Sequence, residues 1–304
     1  MLNDKPIAAV GELPKGFRAE DAEPRAGDSS VLMVSPDHFR VDYVINPHMH
    51  DAAGRPNVVD RPLAQRQWAA LKALYEKLGY RVDVLDGVAS LPDMVFAANQ
   101  SFPFVGRDGR RRVLISAMAR PERRGETAAF ERWYGARGFE IRNADPSLGS
   151  IEGMGDALWV PGRRLLLVGH GFRTSPKAAA AMAEIVETPV VLLELVDDRF
   201  YHLDTAAAPI DATTCLAFRR AFTPAGWELL NRVFARVIEV SESEAVLAFA
   251  CNAHSPDARR VILEPAAVET RKRLEALGFG VETVDVSEFR KSGGSIFCMK
   301  MMIP

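Results

Sequence analysis

The order of predicted elements repeats along the middle of this chain, although the sequence does not, and that repetition restricts the folds open to it. In "DMVFAANQSFPFVGRDGRRRVLISAM" two apolar runs flank the turn-like "GRDGRR", the pattern of a hairpin. "PERRGETAAFERWYGARG" follows as a helix opening at Pro121 and closing at Gly138, and "FEIRN" as a strand. The same order returns in "GDALWVPGRRLLLVGHG", where Pro161-Gly162 makes the turn. There "SPKAAAAMAEIVE" is the helix, with Ser175 as N-cap, and "PVVLLELV" the closing strand. A third unit runs from "YHLDTAAAPIDATTCLAF" through "TPAGWELLNRVFA" to "RVIEVS". A fourth runs from "VLAFACNAHSPDARRVILEP" through "AAVETRKRLEALG" to "GVETVDV". A fifth forms only by joining the ends: the tail "SIFCMKMMI" pairs with "SVLMVSP", "RPLAQRQWAALKALYEKLG" is its helix and "YRVDVLDG" its strand.

Units that cannot each cover their own apolar face argue for a radial array. Asn99, Asp156, Asp204, Asn252 and Cys298 occupy similar places in the five units, at intervals of 46 to 57 residues. Equivalent positions of such an array converge near its axis, so these side chains are expected to share a pocket.

The length of 304 residues allows one large domain or two. A formal charge of −2 gives no strong field toward nucleic acid or acidic membranes, and the longest apolar runs are too short to span a bilayer. Neither is expected as a partner; a homo-oligomer is left open. Residues 1–30, with Pro6, Pro14 and Pro24 and no signal-peptide core, read as a flexible or loosely docked arm ahead of a single catalytic domain over 31–304. The cytoplasm is the default compartment. Cys215, Cys251 and Cys298 are odd in number and widely spaced, which speaks against a disulfide framework or a structural zinc.

Cys298 stands behind a Gly-Gly pair in "SGGSIFCMKMMIP". It reads either as a small hydrophobe of a buried terminal strand or as a nucleophile at the mouth of that strand. In "FYHLDT", His202 and Asp204 are two apart and would point the same way on a strand, as a proton shuttle beside a cation-binding carboxylate; an exposed strand carries the same pattern. In "SIEGMGDALW", two glycines would let Glu152 and Asp156 face one cavity, although a solvated turn also fits. Asn99, behind a buried run, pairs with backbone or reads a ligand. Carboxylates, an imidazole and a thiol together suit a guanidinium, whose rigid fork of donors carboxylates accept in pairs.

"VFAAN", "EGMGDALW", "FYHLDT" and "SEFRKSGG…C", in that order, resemble the guanidine-modifying enzymes: arginine deiminases, dimethylarginine dimethylaminohydrolases, arginine dihydrolases and amidinotransferases. The resemblance covers Val31 to Met302. It implies an α/β fold of five ββαβ blades, a pentein-like propeller whose first blade is closed by both chain ends. It also implies a small guanidino substrate and no metal or organic cofactor. Cys298 matches the nucleophile, His202 the general acid and base, and Glu152 and Asp204 the acids that hold the guanidinium and orient the histidine. Arg173 in "GHGFRTS" matches the grip on a substrate carboxylate, and Asn46 in "DYVINP" and Asn99 match pocket residues. Asn99 stands where the deiminases carry an aspartate, which removes one charge from the cradle, and Ser295 and Phe297 depart from close relatives. Hydrolysis at the guanidino carbon is expected, with amidino transfer to an amine as the alternative. A lesser alternative is a metal-dependent amidohydrolase using His48 and His50 of "PHMHDAAGRPN". Arg120, Arg123 and Arg124 are all candidates to face the pocket.

Overall fold

A computed structural model describes residues 2–304, which form a mixed α/β chain with five separate small sheets. In the first complete unit Ser101–Val105 pairs antiparallel with Arg111–Ile115, which pairs parallel with Glu140–Asn143. Ala157–Trp159, Leu166–His170 and Val190–Glu194 repeat that order, as do Ala207–Pro209, Thr214–Ala217 and Arg236–Glu239. Hairpins supply the antiparallel pairs, while a helix carries the chain across to each parallel strand, as parallel pairing requires. The tail joins the front of the chain: Met301–Ile303 pairs antiparallel with Ser30–Val34, which pairs parallel with Arg81–Leu85.

The fourth unit departs from expectation. Arg260–Leu263 and Gly280–Thr283 pair in parallel, but "VLAFACN" is not a strand. Glu242–Leu247 is a helix capped by the Ser241 hydroxyl, and Ala250–Asn252 a single 3-10 turn. Only a bridge between His254 and Ile262 remains of the hairpin. Just ahead of that run, Glu244 fixes the new helix to the next one: its carboxylate accepts from the backbone N–H groups of Glu269 and Thr270, at the start of the helix Val268–Ala276.

Two further expectations are corrected at helix starts. The stretch from Pro121 is 3-10 over Pro121–Glu126 and α-helical only over Thr127–Gly135. Ser175 holds the N-cap position as expected, but its side chain makes no capping bond; the hydroxyl accepts from Ser150 N instead. The leading segment, expected as a flexible or loosely docked arm, lies against the body of the chain. Pro6–Ile7 adds a parallel strand to Val190–Glu194, and Ile7, Leu13, Phe17 and Ala19 are buried. The prolines that argued for looseness sit in these contacts: Pro14 O accepts from Phe17 N in a turn, and Pro24 bridges Arg163.

The five convergent positions all lie just ahead of the first strand of a unit. Asn99 is two residues before Ser101, Asp156 adjoins Ala157, Asp204 is three before Ala207, Asn252 is two before the His254 bridge and Cys298 three before Met301. These short turns project polar groups together above a largely aliphatic interior.

Candidate active site

Cys298 is not on a strand. It sits in the tight turn closed by Met299 N to Ser295 O and Lys300 N to Phe297 O. Asn252 holds this turn: its Oδ1 accepts from Phe297 N and Cys298 N at 2.9 and 3.3 Å, and its Nδ2 donates to Cys298 Sγ at 3.1 Å. The Gly-Gly pair ahead of the cysteine has a steric cause. A Cβ on Gly294 would lie 2.2 Å from the Phe96 ring, so only glycine lets this backbone pass.

The thiol donates to Asp204 Oδ2 at 3.0 Å. Asp204 lies in the four-residue helix Leu203–Ala206, with His202 at its N-cap, so the two do not share the face of a strand. That local winding sends them to different partners. His202 Nε2 donates to Glu152 Oε2 at 2.7 Å, while Asp204 turns to the sulfur. Gly155 is required here too: a Cβ would meet the Asn99 amide at 2.2 Å and the His202 ring at 3.2 Å.

Glu152 is fully buried and accepts three ways, from His202, from Arg173 Nη1 at 3.3 Å and from Ala119 N at 2.9 Å. Burial would push its carboxyl up, but the His202 bond and the nearby charges of Arg173 and Arg123 hold it down to about 2. Asp204 lacks such cations in contact, and burial pushes it up to about 7. The Cys298 thiol is raised well above its usual range by burial, then by the adjacent Asp204 carboxylate. The resting pair is therefore a neutral thiol hydrogen-bonded to an acid titrating near neutrality.

Cys298, His202, Asn99, Arg173 and Asn46 line one narrow cleft with an empty volume of about 270 Å³. Arg173 lies with its guanidinium 4.7 Å above the Tyr201 ring, tied to Glu152 and to Ile45 O, with Nε unpartnered. Asn46 spends its amide on Ser292 O and His48 N, joining the 43–50 loop to the cysteine segment. Glu152 and Asp204 sit one layer behind, on His202 and Cys298. Asp156 is a correction: it does not line the cleft. Its oxygens accept from Thr174 Oγ1 at 2.7 Å and Leu203 N at 3.0 Å, so it fixes the backbone that carries His202.

Ile45, Asp93, Phe96, Tyr201 and Ser292 line the cleft without a sequence signal, and one ambiguity resolves. Of the three candidate arginines, Arg123 faces the cleft. It pairs with Glu126 and donates to Asn99 Oδ1 at 2.8 Å, which leaves the Asn99 NH2 buried beside Gly155 without a partner. The Arg-x-x-Glu spacing on one helical turn was the available signal. Asp93 lines the cleft and accepts from the Ser292 hydroxyl; nothing in "LPDMV" marked it. Tyr201 also lines it, beside the histidine that drew attention instead. His48 and His50 do not converge: His48 Nε2 donates to Arg199 O, and His50 Nδ1 lies 2.9 Å from Asp51 O. Among the described residues no group of three or more His, Cys, Asp or Glu side chains could hold a metal ion.

A buried cysteine, a carboxylate-backed histidine and acidic groups gathered above five small sheets define a class: this chain belongs to the guanidine-modifying enzymes. It is 40% identical over 277 residues to the N(G),N(G)-dimethylarginine dimethylaminohydrolase of Mycobacterium tuberculosis, covering 89% of this chain and 84% of that one. It is 34% identical to the bifunctional arginine dihydrolase/ornithine cyclodeaminase ArgZ of Synechocystis, spanning 38% of that longer protein. The crystal structure of the N-terminal domain of ArgZ, as a cysteine-to-serine mutant bound to substrate, superposes with a TM-score of 0.83 at 32% identity, over 91% of this chain and 98% of that domain. Another structure of that domain is covalently bound to a reaction intermediate, at a TM-score of 0.82 and 32% identity over 91% of this chain and all of that one. No family model matches the chain. No helix among the described residues is long and apolar enough to cross a membrane.

Proposed function

We propose that this protein is a cysteine-dependent hydrolase of the guanidino carbon of arginine or an N-methylated arginine. The observation that carries the reading is the Cys298–Asp204 contact at 3.0 Å beside a cleft shared with the Glu152-bound His202, drawn from three distant segments. Asp204 sits behind the sulfur rather than on the cleft wall, and its unpartnered Oδ1 would accept from a guanidinium drawn up to Cys298. Arg173 would receive the substrate carboxylate through its free Nε. The cation's charge lowers the cost of ionising the thiol, so substrate helps to form its own nucleophile. The thiolate attacks the central carbon, His202 protonates the departing amine, and an alkylthiouronium adduct remains on Cys298. His202, then neutral, takes a proton from the water that releases product, which returns it to its starting form, and Glu152 holds the ring in place through both steps.

On this reading the five sheets are blades around the cleft, the first closed by both chain ends, and 31–304 is one catalytic domain braced by the leading segment. Three free cysteines suit a reducing cytoplasm. Changing Cys298 to serine tests the proposal. Turnover of arginine and dimethylarginine should fall by roughly three orders of magnitude or more while the thermal transition stays cooperative. Residual turnover within tenfold of wild type, about 1.4 kcal/mol, would exclude this sulfur as the nucleophile.

A further inference from the structure

The chain segments that carry Asp156, Asp204, Asn252 and Cys298 run on, within a few residues, into the wall of a second cavity. Its empty volume is about 870 Å³, three times that of the cleft, and the two share no lining residue. Trp159, Ala208, His254, Phe297, Lys300 and Met302 are among its walls. Nothing in the proposed chemistry uses it.

The wall is largely apolar, and its charges are paired with one exception. Arg25 is bound to Asp28 at 2.5 Å and lies 4.6 Å from the Trp159 ring centre. Asp257 is bound to Arg260 at 2.7 Å. His254 takes a hydrogen bond with Tyr75 OH through Nδ1, and burial keeps its imidazole neutral. Lys300 is fully buried, yet its Nζ has no hydrogen-bond partner; it lies 3.1 Å from the centre of the Phe297 ring, with the carboxylates of Asp28 and Asp204 near enough to act on its charge but not bonded to it. The Ser255 hydroxyl on the same wall is also unpartnered. A buried amine without an acceptor is costly, and burial lowers its pKa to about 7. An anion reaching it would supply the acceptor and pair the charge, a neutral acceptor would do only the first, and a cation neither.

We propose that this cavity binds a small organic carboxylate, with its head on Lys300 Nζ and its apolar body against Trp159 and Met302. The site is separate from the one that receives the guanidino substrate, although Lys300 is two residues from Cys298. Ser255 supplies a further donor within the cavity.

Phenylacetate is a suitable probe, titrated by calorimetry into the Cys298→Ser protein saturated with L-arginine, which occupies the cleft. One equivalent should bind, and 2-phenylethanol, of the same shape without the charge, should bind weaker by about tenfold or more. Lys300→Met should weaken phenylacetate by about tenfold or more by removing the cation. Ser255→Leu, which narrows the cavity and leaves Lys300 in place, should weaken it similarly and keeps the test decisive if the lysine variant folds poorly. No binding at millimolar phenylacetate, displacement by arginine, or affinity indifferent to both substitutions would overturn the proposal.

Discussion

Two buried acids near the sulfur respond to pH in opposite senses, and each can be read by substitution. Glu152 is depressed from its ordinary 4.5 to about 2. Its contribution to stability is present above pH 4.5 and is lost as pH falls toward 2; the shift corresponds to an energy on the order of 3 kcal/mol. Glu152→Gln should therefore be less stable than wild type by about 2–4 kcal/mol at pH 7, with the gap closing below pH 3. Denaturant unfolding at both pH values checks it; an equal gap at both would mean that Glu152 acts through packing alone. Asp204 is raised from 3.8 to about 7. Its protonated form is the comfortable one, so stability present below pH 3.8 is eroded as pH rises through 7. Asp204→Asn should then gain about 1–3 kcal/mol at pH 8 while turnover falls by about a hundredfold or more. A variant both less stable and less active would show that the carboxylate is structural. The candidate residues that could be read from the sequence were those carrying reactive groups at a repeated position, namely Asp204, Asn99 and Cys298. Arg123 is one of three arginines the sequence offers, and its contacts with Glu126 and Asn99 single it out; Asp93 is not legible, because its place depends on contacts between segments that no local pattern records. Asp156 misled because a carboxylate at the repeated position serves the backbone N–H of Leu203 just as well as a substrate.

At the scale of elements, the turns carry the site and the strands merely aim them. Strand order was legible because alternating apolar runs, turn residues and helix stops are local signals. The winding of "FYHLDT" into a short helix was not, since a period of two and a single turn differ by little over six residues. The fourth unit is illegible for a related reason: an apolar run such as "VLAFA" fits a strand or the end of a buried helix, and no signal within it distinguishes the two. The cysteine turn should be sensitive to bulk. Gly294→Ala would drive a methyl into the Phe96 ring, and kcat should fall by about tenfold or more with a stability loss of about 1–3 kcal/mol. Restoration by a second substitution, Phe96→Leu, would assign the effect to that contact. If the double variant is as slow as the single one, the turn is constrained elsewhere.

At the scale of the molecule, both ends of the chain are fastened to the body by strands. Met301–Ile303 lies against Ser30–Val34, and Ile7 is fully buried beside Val190–Glu194. Ile7→Ala should cost about 2–4 kcal/mol in urea unfolding yet leave the kcat for arginine unaltered at 25 °C, because nothing from the leading segment lines the cleft. A lowered kcat would mean that the brace shapes the site. The central claim, that a covalent adduct forms on Cys298 and that the side chain of the amino acid stays attached to it, is tested most directly by the intact mass of acid-quenched enzyme during turnover, followed by peptide mapping. Arginine and dimethylarginine should give the same increment, one arginine less one ammonia, on the peptide holding Cys298, since the first loses ammonia and the second dimethylamine. An increment of the bare amidino group would mean that the other C–N bond breaks and the enzyme transfers amidino groups. Product accumulating with Cys298 unmodified, or with the adduct on Cys215 or Cys251, would contradict the account.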